Sequence, residues 1–177
     1  KDLGCSSLVD ILKRVHEIDG IKRIRLSSLE PSIITPEFID KIKGFNKLCP
    51  HYHISLQSGC DDTLKRMNRK YTTLDYKAAV QLLRKSIDDV SITTDVMVGF
   101  PGETDLEFEQ TYKFVEEIGF SKMHVFKFSP RKGTPAYLNE SQVPAEIKEE
   151  RSKRLIRLSE ECALKFNKSF EGRVFPV

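Results

Sequence analysis

No run of about 18 apolar residues occurs in the 177-residue chain, so the sequence offers no segment able to span a bilayer as a helix. The opening stretch, KDLGCSSLVD, lacks the basic and apolar regions of a secretory signal, and the expectation is a cytoplasmic protein with no membrane partner. Charge of one sign is also scarce. The 29 basic and 26 acidic residues leave +3, which permits contact with nucleic acid without establishing it. Cysteines are few and badly spaced for metal binding: Cys5, Cys49, Cys60 and Cys162 match no CxxC or CxxxCxxC pattern, so no metal ligand is assigned and each reads as a free thiol. Internal repeats and low-complexity tracts are missing too. What is present, 39% hydrophobic and 31% charged residues, suits one folded domain with a real core and argues against disorder.

Periodicity then organises the chain. Leu8, Ile11, Leu12, Val15 and Ile18 recur at helical spacing before a stop at Gly20, and Ile21 to Leu29 alternates as a half-buried strand does. Thr35 and Pro36 predict a cap and first turn of a helix running to about Leu48, followed by a second strand, HYHISLQ, from His51. A short helix follows SGCDD, with Leu64 and Met67 inward and Arg66, Arg69 and Lys70 on the other side. Thr72 opens a helix with Leu74, Ala78, Leu82 and Leu83 on one face, and SITTDVMVGF from Ser91 is a third strand. Thr104 and Glu107 form a capping box for a helix buried along Phe108, Tyr112, Val115 and Ile118. Lys122 to Phe128 is the fourth strand, and a long helix from about Pro144 to Phe170 carries Leu155, Leu158, Cys162 and Phe166 on its apolar side. Such alternation predicts βα units: an α/β protein with a parallel sheet or part of a (β/α) barrel. Both ends read as cut from a longer protein, and FEGRVFPV has the alternation of a further strand.

In parallel α/β folds ligands lie beyond the carboxyl ends of the strands, which here carry Glu30, Gln57, Asp95 and the Ser129 to Lys132 turn. Glu30, Gln57 and Asp95 can together accept hydrogen bonds from an ammonium group and from vicinal hydroxyls. Asp95, set in an apolar strand, needs a donor from ligand or protein. Arg69 can clamp a carboxylate bidentately. Each has a plainer reading, as turn chemistry, a satisfied core carboxylate or a solvated basic face. His51 and His53 alternate to one side with no third ligand in view, which favours a structural role over a metal site. Tyr71, Tyr76 and Phe100 fit base stacking and core packing equally well.

RIRLSSLEP, HISLQSGCDDTLKRMNRKYT, TTDVMVGFPGET and FSPRKGTPA, in this order and spacing, resemble the radical S-adenosylmethionine (SAM) methylthiotransferases, most closely the tRNA branch that modifies threonylcarbamoyladenosine beside the anticodon. The resemblance implies a partial (β/α)6, TIM-like barrel whose first two strands are missing. Residues 1–170 would be the C-terminal part of the radical SAM core, and 171–177 the truncated start of an RNA-binding TRAM-like domain. It implies that Glu30 lies near the SAM amino acid and ribose, Gln57 and Asp95 face the ribose, Arg69 pairs with the SAM carboxylate, and the strand edge around Phe126 flanks the adenine. It further implies SAM and two 4Fe–4S clusters in the full-length parent, tRNA anticodon stem-loop as substrate, and an electron donor such as flavodoxin or ferredoxin. In the family reaction SAM is cleaved to a deoxyadenosyl radical that takes hydrogen from adenine C2, and sulfur and a second methyl complete the product. The cluster cysteines are outside this chain, so it is expected to be inactive alone while its parent is an enzyme.

Three alternatives stand beside that expectation. Relatives acting on isopentenyladenosine in tRNA or on a ribosomal-protein aspartate share the barrel motifs. A barrel enzyme of aldol or phosphate chemistry would use Lys127 as a buried amine or Gly99 to Gly102 as a phosphate loop. A non-catalytic RNA-binding module would use Arg66, Arg69, Lys70, Arg131 and Lys132 as a phosphate footprint.

Overall fold

The computed structural model describes residues 7–174. Seven α-helices, one 3-10 turn (Pro31–Ile33) and three strands are found among them: α1 (Leu8–Glu17), α2 (Pro36–Ile42), β1 (His51–His53), α3 (Asp61–Arg66), α4 (Thr73–Ser86), β2 (Ser91–Val98), α5 (Asp105–Ile118), β3 (Lys122–Lys127), α6 (Pro135–Leu138) and α7 (Ala145–Lys168). The strands form one parallel sheet in the order β1-β2-β3, with α4 and α5 as the crossovers that parallel neighbours require. This is the open, helix-backed sheet expected of a partial α/β barrel. None of the helices among the described residues is long and apolar enough to cross a membrane.

β2 shows how the layers divide. Ile92, Thr94, Val96 and Val98 are sealed on one face, whereas Ser91, Asp95 and Met97 on the other are only half-buried. Thr94 tolerates the core because its hydroxyl donates to the Ile54 carbonyl at 2.6 Å and accepts from Leu56 N–H at 3.0 Å. Under the sealed face, Tyr76, Val80 and Leu83 of α4 and Phe108, Val115 and Ile118 of α5 make the core.

Helix starts follow their caps. Thr35, Thr72 and Thr104 each accept a bond from the N–H three residues on, and Thr72 and Thr104 close full capping boxes with Asp75 and Glu107. Elsewhere the expectations shift. The strand over Ile21–Leu29 is reduced to parallel bridges, Ile24 to Leu48 and Leu29 to Ile54, because the left-handed backbone of Ser28 (φ 52°) breaks the run. α2 stops at Ile42, short of Leu48, where the chain turns through Gly44 to bring Leu48 against Ile24. α4 buries Tyr76, Ala79, Val80 and Leu83, with Leu82 partly buried against the core, while Leu74 is 75% exposed and Ala78 is exposed, so the C-terminal half of the expected stripe is buried and its N-terminal half faces outward. The short α6 was not foreseen in the SPRKGTPAY turn; Thr134 caps it and Pro135 starts it. Residues 171–174 form turn and coil with no strand, and the remainder of the expected TRAM entry, like Cys5, lies outside the described residues.

Candidate functional site

The carboxyl ends of the strands gather most of the residues singled out above. Register pairs His53 with Thr93, Asp95 with His124 and Met97 with Phe126, so these side chains share the half-open face of the sheet. Gln57 extends β1 by a single bridge to Val96: its N–H donates to the Asp95 carbonyl at 2.8 Å and its carbonyl accepts from Met97 N–H at 2.9 Å. Its φ of 67° is left-handed, an uncommon conformation for a residue with a side chain and one that turns the chain sharply into Ser58 and Gly59. Ser58 and Gly59 then seat on α5 through the Thr111 hydroxyl, and a Cβ on Gly59 would stand 2.8 Å from Phe114 Cβ, which explains why glycine occupies that position.

Within the protein, the Asp95 carboxylate lies at ion-pair distance from the His53 imidazole. His53 Nε2 lies 3.3 Å from Asp95 Oδ2, His53 Nδ1 lies 3.0 Å from the Thr93 hydroxyl, and that hydroxyl lies 3.4 Å from His51 Nε2, which meets Arg25 Nη2 at 3.0 Å. Burial, then the charges of Arg25 and His53, hold the His51 pKa below the usual imidazole value. The Asp95 carboxylate still shows 31% of its side chain to solvent, so it is available to a ligand.

Glu30 and Arg69 converge on Tyr71. Tyr71 is buried, its hydroxyl donates to the carbonyls of Ser55 and Leu56 at 2.9 and 3.0 Å, and burial with the Glu30 charge, opposed by Arg69, pushes its pKa up to about 12. Leu29, the residue before Glu30, brackets the neighbouring strand: its N–H donates to His53 and its carbonyl accepts from Ser55 N–H. Arg69 stands just past α3, and its Nε is buried without a hydrogen-bond partner. An orphaned buried guanidinium donor fits an anionic ligand group such as a carboxylate. Two groupings follow, Glu30 and Arg69 through their common electrostatic effect on Tyr71, and Gln57, Asp95 and Phe126 through the backbone pairing of β1, β2 and β3. No hydrogen bond or ion pair joins one grouping to the other among the described residues.

Sequence reasoning missed the device that sets the turn after β2. Gly99 N–H donates to Glu103 Oε1 at 2.9 Å, and the same oxygen meets Arg151 Nη1 of α7 at 2.6 Å. One turn earlier on α7, Lys148 Nζ donates to the Phe128 carbonyl at 3.2 Å and sits over the Phe128 ring, on whose edge Phe100 packs. The motif GFPGET marked the turn but gave no sign of its partners on α7.

The geometry bears on several other readings. Lys127 is exposed and paired with Glu149, so it is no buried Schiff-base amine. Arg66 bonds Glu107 through both terminal nitrogens at 2.8 Å, which removes it from a free phosphate footprint. Tyr71 and Tyr76 are core residues whose rings are closed to a base. Cys49, Cys60 and Cys162 are free thiols before β1, at the start of α3 and within α7, so the described residues do not fit an iron–sulfur cluster. Cys60, Asp62 and Glu107 offer ligand atoms within 4.8 Å of one another, but both Glu107 oxygens are taken by Arg66.

Residues 3–115 match the model of the radical SAM superfamily. The chain is 45% identical to the threonylcarbamoyladenosine tRNA methylthiotransferase MtaB of Thermotoga maritima, over 98% of this chain and 40% of that protein. It is 41% identical to the tRNA-2-methylthio-N(6)-dimethylallyladenosine synthase of Clostridium tetani, over 97% of this chain and 38% of that protein. The chain therefore spans about 40% of the length of these curated relatives. Among solved structures, coproporphyrinogen III oxidase of Escherichia coli, a radical SAM enzyme, superposes with a TM-score of 0.66 at 17% identity, over 79% of this chain and 32% of that one, a likeness of fold alone.

Proposed function

Because the chain belongs to the radical SAM superfamily, we propose that it is the cofactor-orienting part of a tRNA methylthiotransferase core, whose parent adds a methylthio group at C2 of threonylcarbamoyladenosine next to the anticodon. The observation that carries this reading is the pair of groupings near the strand ends: an unpartnered Arg69 Nε, with Arg69 and Glu30 both acting electrostatically on Tyr71, and Asp95 held half-exposed where the Gln57 N–H meets its carbonyl. Arg69 receives the SAM carboxylate, Glu30 its ammonium group, Gln57 and Asp95 the ribose hydroxyls, and the Phe126 edge the adenine. Bound SAM supplies radical and methyl chemistry. This chain's own residues bind and orient it, and the sealed face of the sheet keeps water from one side of the site. The cysteines of the described residues do not form a cluster site, so initiation belongs to segments of the parent, which is expected to carry two clusters, take electrons from a flavodoxin or ferredoxin, and work in the cytoplasm. Residues 1–170 then serve as core and 171–177 as the entry to a TRAM-like domain.

Similarity to the dimethylallyladenosine synthase supports a second substrate, isopentenyladenosine. Anaerobic cluster reconstitution of the full-length gene product, followed by nucleoside mass spectrometry, decides between them. Methylthiolation of tRNA bearing threonylcarbamoyladenosine is expected. Modification of isopentenyladenosine instead selects the second reading, and absence of SAM cleavage removes both. The 177-residue chain alone is expected to take up no iron–sulfur cluster and to show no activity.

A further inference from the structure

We infer that His53 is a positioning residue for SAM, holding the Asp95 carboxylate in the orientation that meets the ribose hydroxyls, and that Thr93 fixes the His53 tautomer that does so. The inference rests on the SAM reading of the site and adds residues that the motifs did not assign.

The hydrogen bonds carry a direction. Arginine can only donate, so the 3.0 Å contact from Arg25 Nη2 makes His51 Nε2 an acceptor. The Thr93 hydroxyl therefore cannot receive a proton from His51. Its own proton has two acceptors in reach, His53 Nδ1 at 3.0 Å and His51 Nε2 at 3.4 Å, and the shorter contact wins. With Nδ1 accepting, neutral His53 carries its proton on Nε2, which faces Asp95 Oδ2 at 3.3 Å. The His53 side chain is only 13% exposed and its neighbours come from three strands, so the ring has little freedom to turn away. Engaging Oδ2 leaves Oδ1 of a carboxylate with 31% exposure to accept from a diol. An aspartate on a half-open sheet face without such a tether would rotate between rotamers, and a fixed orientation is what a carboxylate–diol contact needs to be selective.

The test is SAM binding by the cluster-reconstituted full-length protein, measured by equilibrium dialysis with SAM and with its 2′-deoxy analogue. His53→Ala is expected to weaken SAM roughly tenfold and the deoxy analogue much less. His53→Gln, whose amide NH2 can still reach Asp95, is expected to recover most of the loss. Thr93→Val, nearly the same shape without the hydroxyl, is expected to show a smaller shift with the same ligand preference, and it serves if His53→Ala proves unstable. A His53→Ala/Asp95→Asn double variant is expected to bind no more weakly than Asp95→Asn alone. Equal weakening of both ligands, or additive losses in the double variant, overturns the role of His53 while leaving the SAM site intact. Wild-type protein that binds no SAM overturns the underlying reading of the site itself.

Discussion

Arg151 meets Glu103 at 2.6 Å with the two side chains 6% and 3% exposed, and through that one carboxylate α7 is joined to the Gly99 N–H at the end of β2. A buried pair of this kind is costly to break on one side only. Arg151→Met is expected to destabilise the protein by about 3–5 kcal/mol, while Glu103→Gln with Arg151→Met is expected to lose less than the single arginine change. Denaturant midpoints of the two variants test it. Burial, opposed by Gly99 and Arg151, sets the Glu103 pKa above its ordinary value of 4.5. A raised folded pKa contributes stability that is complete below the ordinary value and lost as pH rises through the raised one. Removing Arg151 raises it further, so the deficit of Arg151→Met is expected to be larger at about pH 8 than at about pH 5.

Gly99→Ala tests the packing beneath that turn. Its φ of +72° disfavours any side chain, and the added Cβ would lie 2.3 Å from Lys148 Cγ, close to the root of a buried side chain. A loss of roughly 2 kcal/mol or more is expected, against about 1 kcal/mol for Gly20→Ala, which has the same handedness but open space around it. Thermal melting of the two variants side by side separates strain from collision.

Tyr71→Phe removes a hydroxyl that donates to Ser55 and Leu56, and a loss of about 1 kcal/mol is expected. Tyr71 and Tyr52 are both pushed up to about 12 by burial. Their contribution to stability is therefore intact through neutral pH and lost as pH climbs toward that value. Ultraviolet titration should show fewer ionising phenols below that range than the five tyrosines of the sequence, with the remainder appearing only as the protein unfolds.

Arg69→Met is expected to lower SAM affinity of the cluster-loaded parent by roughly 10- to 100-fold, the worth of a charge-assisted contact. Its thermal midpoint should scarcely move, because the buried Nε has no protein partner to lose. A large drop in midpoint with unchanged affinity would assign the guanidinium to the fold instead of the ligand.

What could be read in the chain was local. Thr72 and Thr104 announce their helices because a cap and its responding acid lie within one turn, and β2 is recognisable as an apolar run closed by Pro101 and Gly102. On α4 the pattern holds at Leu83 but not at Leu74 and Ala78, because the first turns bury Tyr76 instead, whose polar tip finds the Ile54 carbonyl. The site was legible as residue types at strand ends, but its wiring was not. His53 and Asp95 are 42 positions apart, and only the parallel register of β1 with β2 makes them neighbours. Glu103 and Arg151 are separated by a strand and two helices, and no spacing rule connects them.

That separation has a bearing on how the molecule is born. Synthesis proceeds from the amino end, and the turn at Gly99 emerges from the ribosome well before Lys148 and Arg151 follow it. Until α7 arrives, the Glu103 carboxylate faces water and the β3 flank stands uncovered, so the nascent sheet is vulnerable to chance association. The long α7 thus works as a latch thrown only after the strands it covers have emerged, and quality control of this protein is expected to hinge on whether it engages.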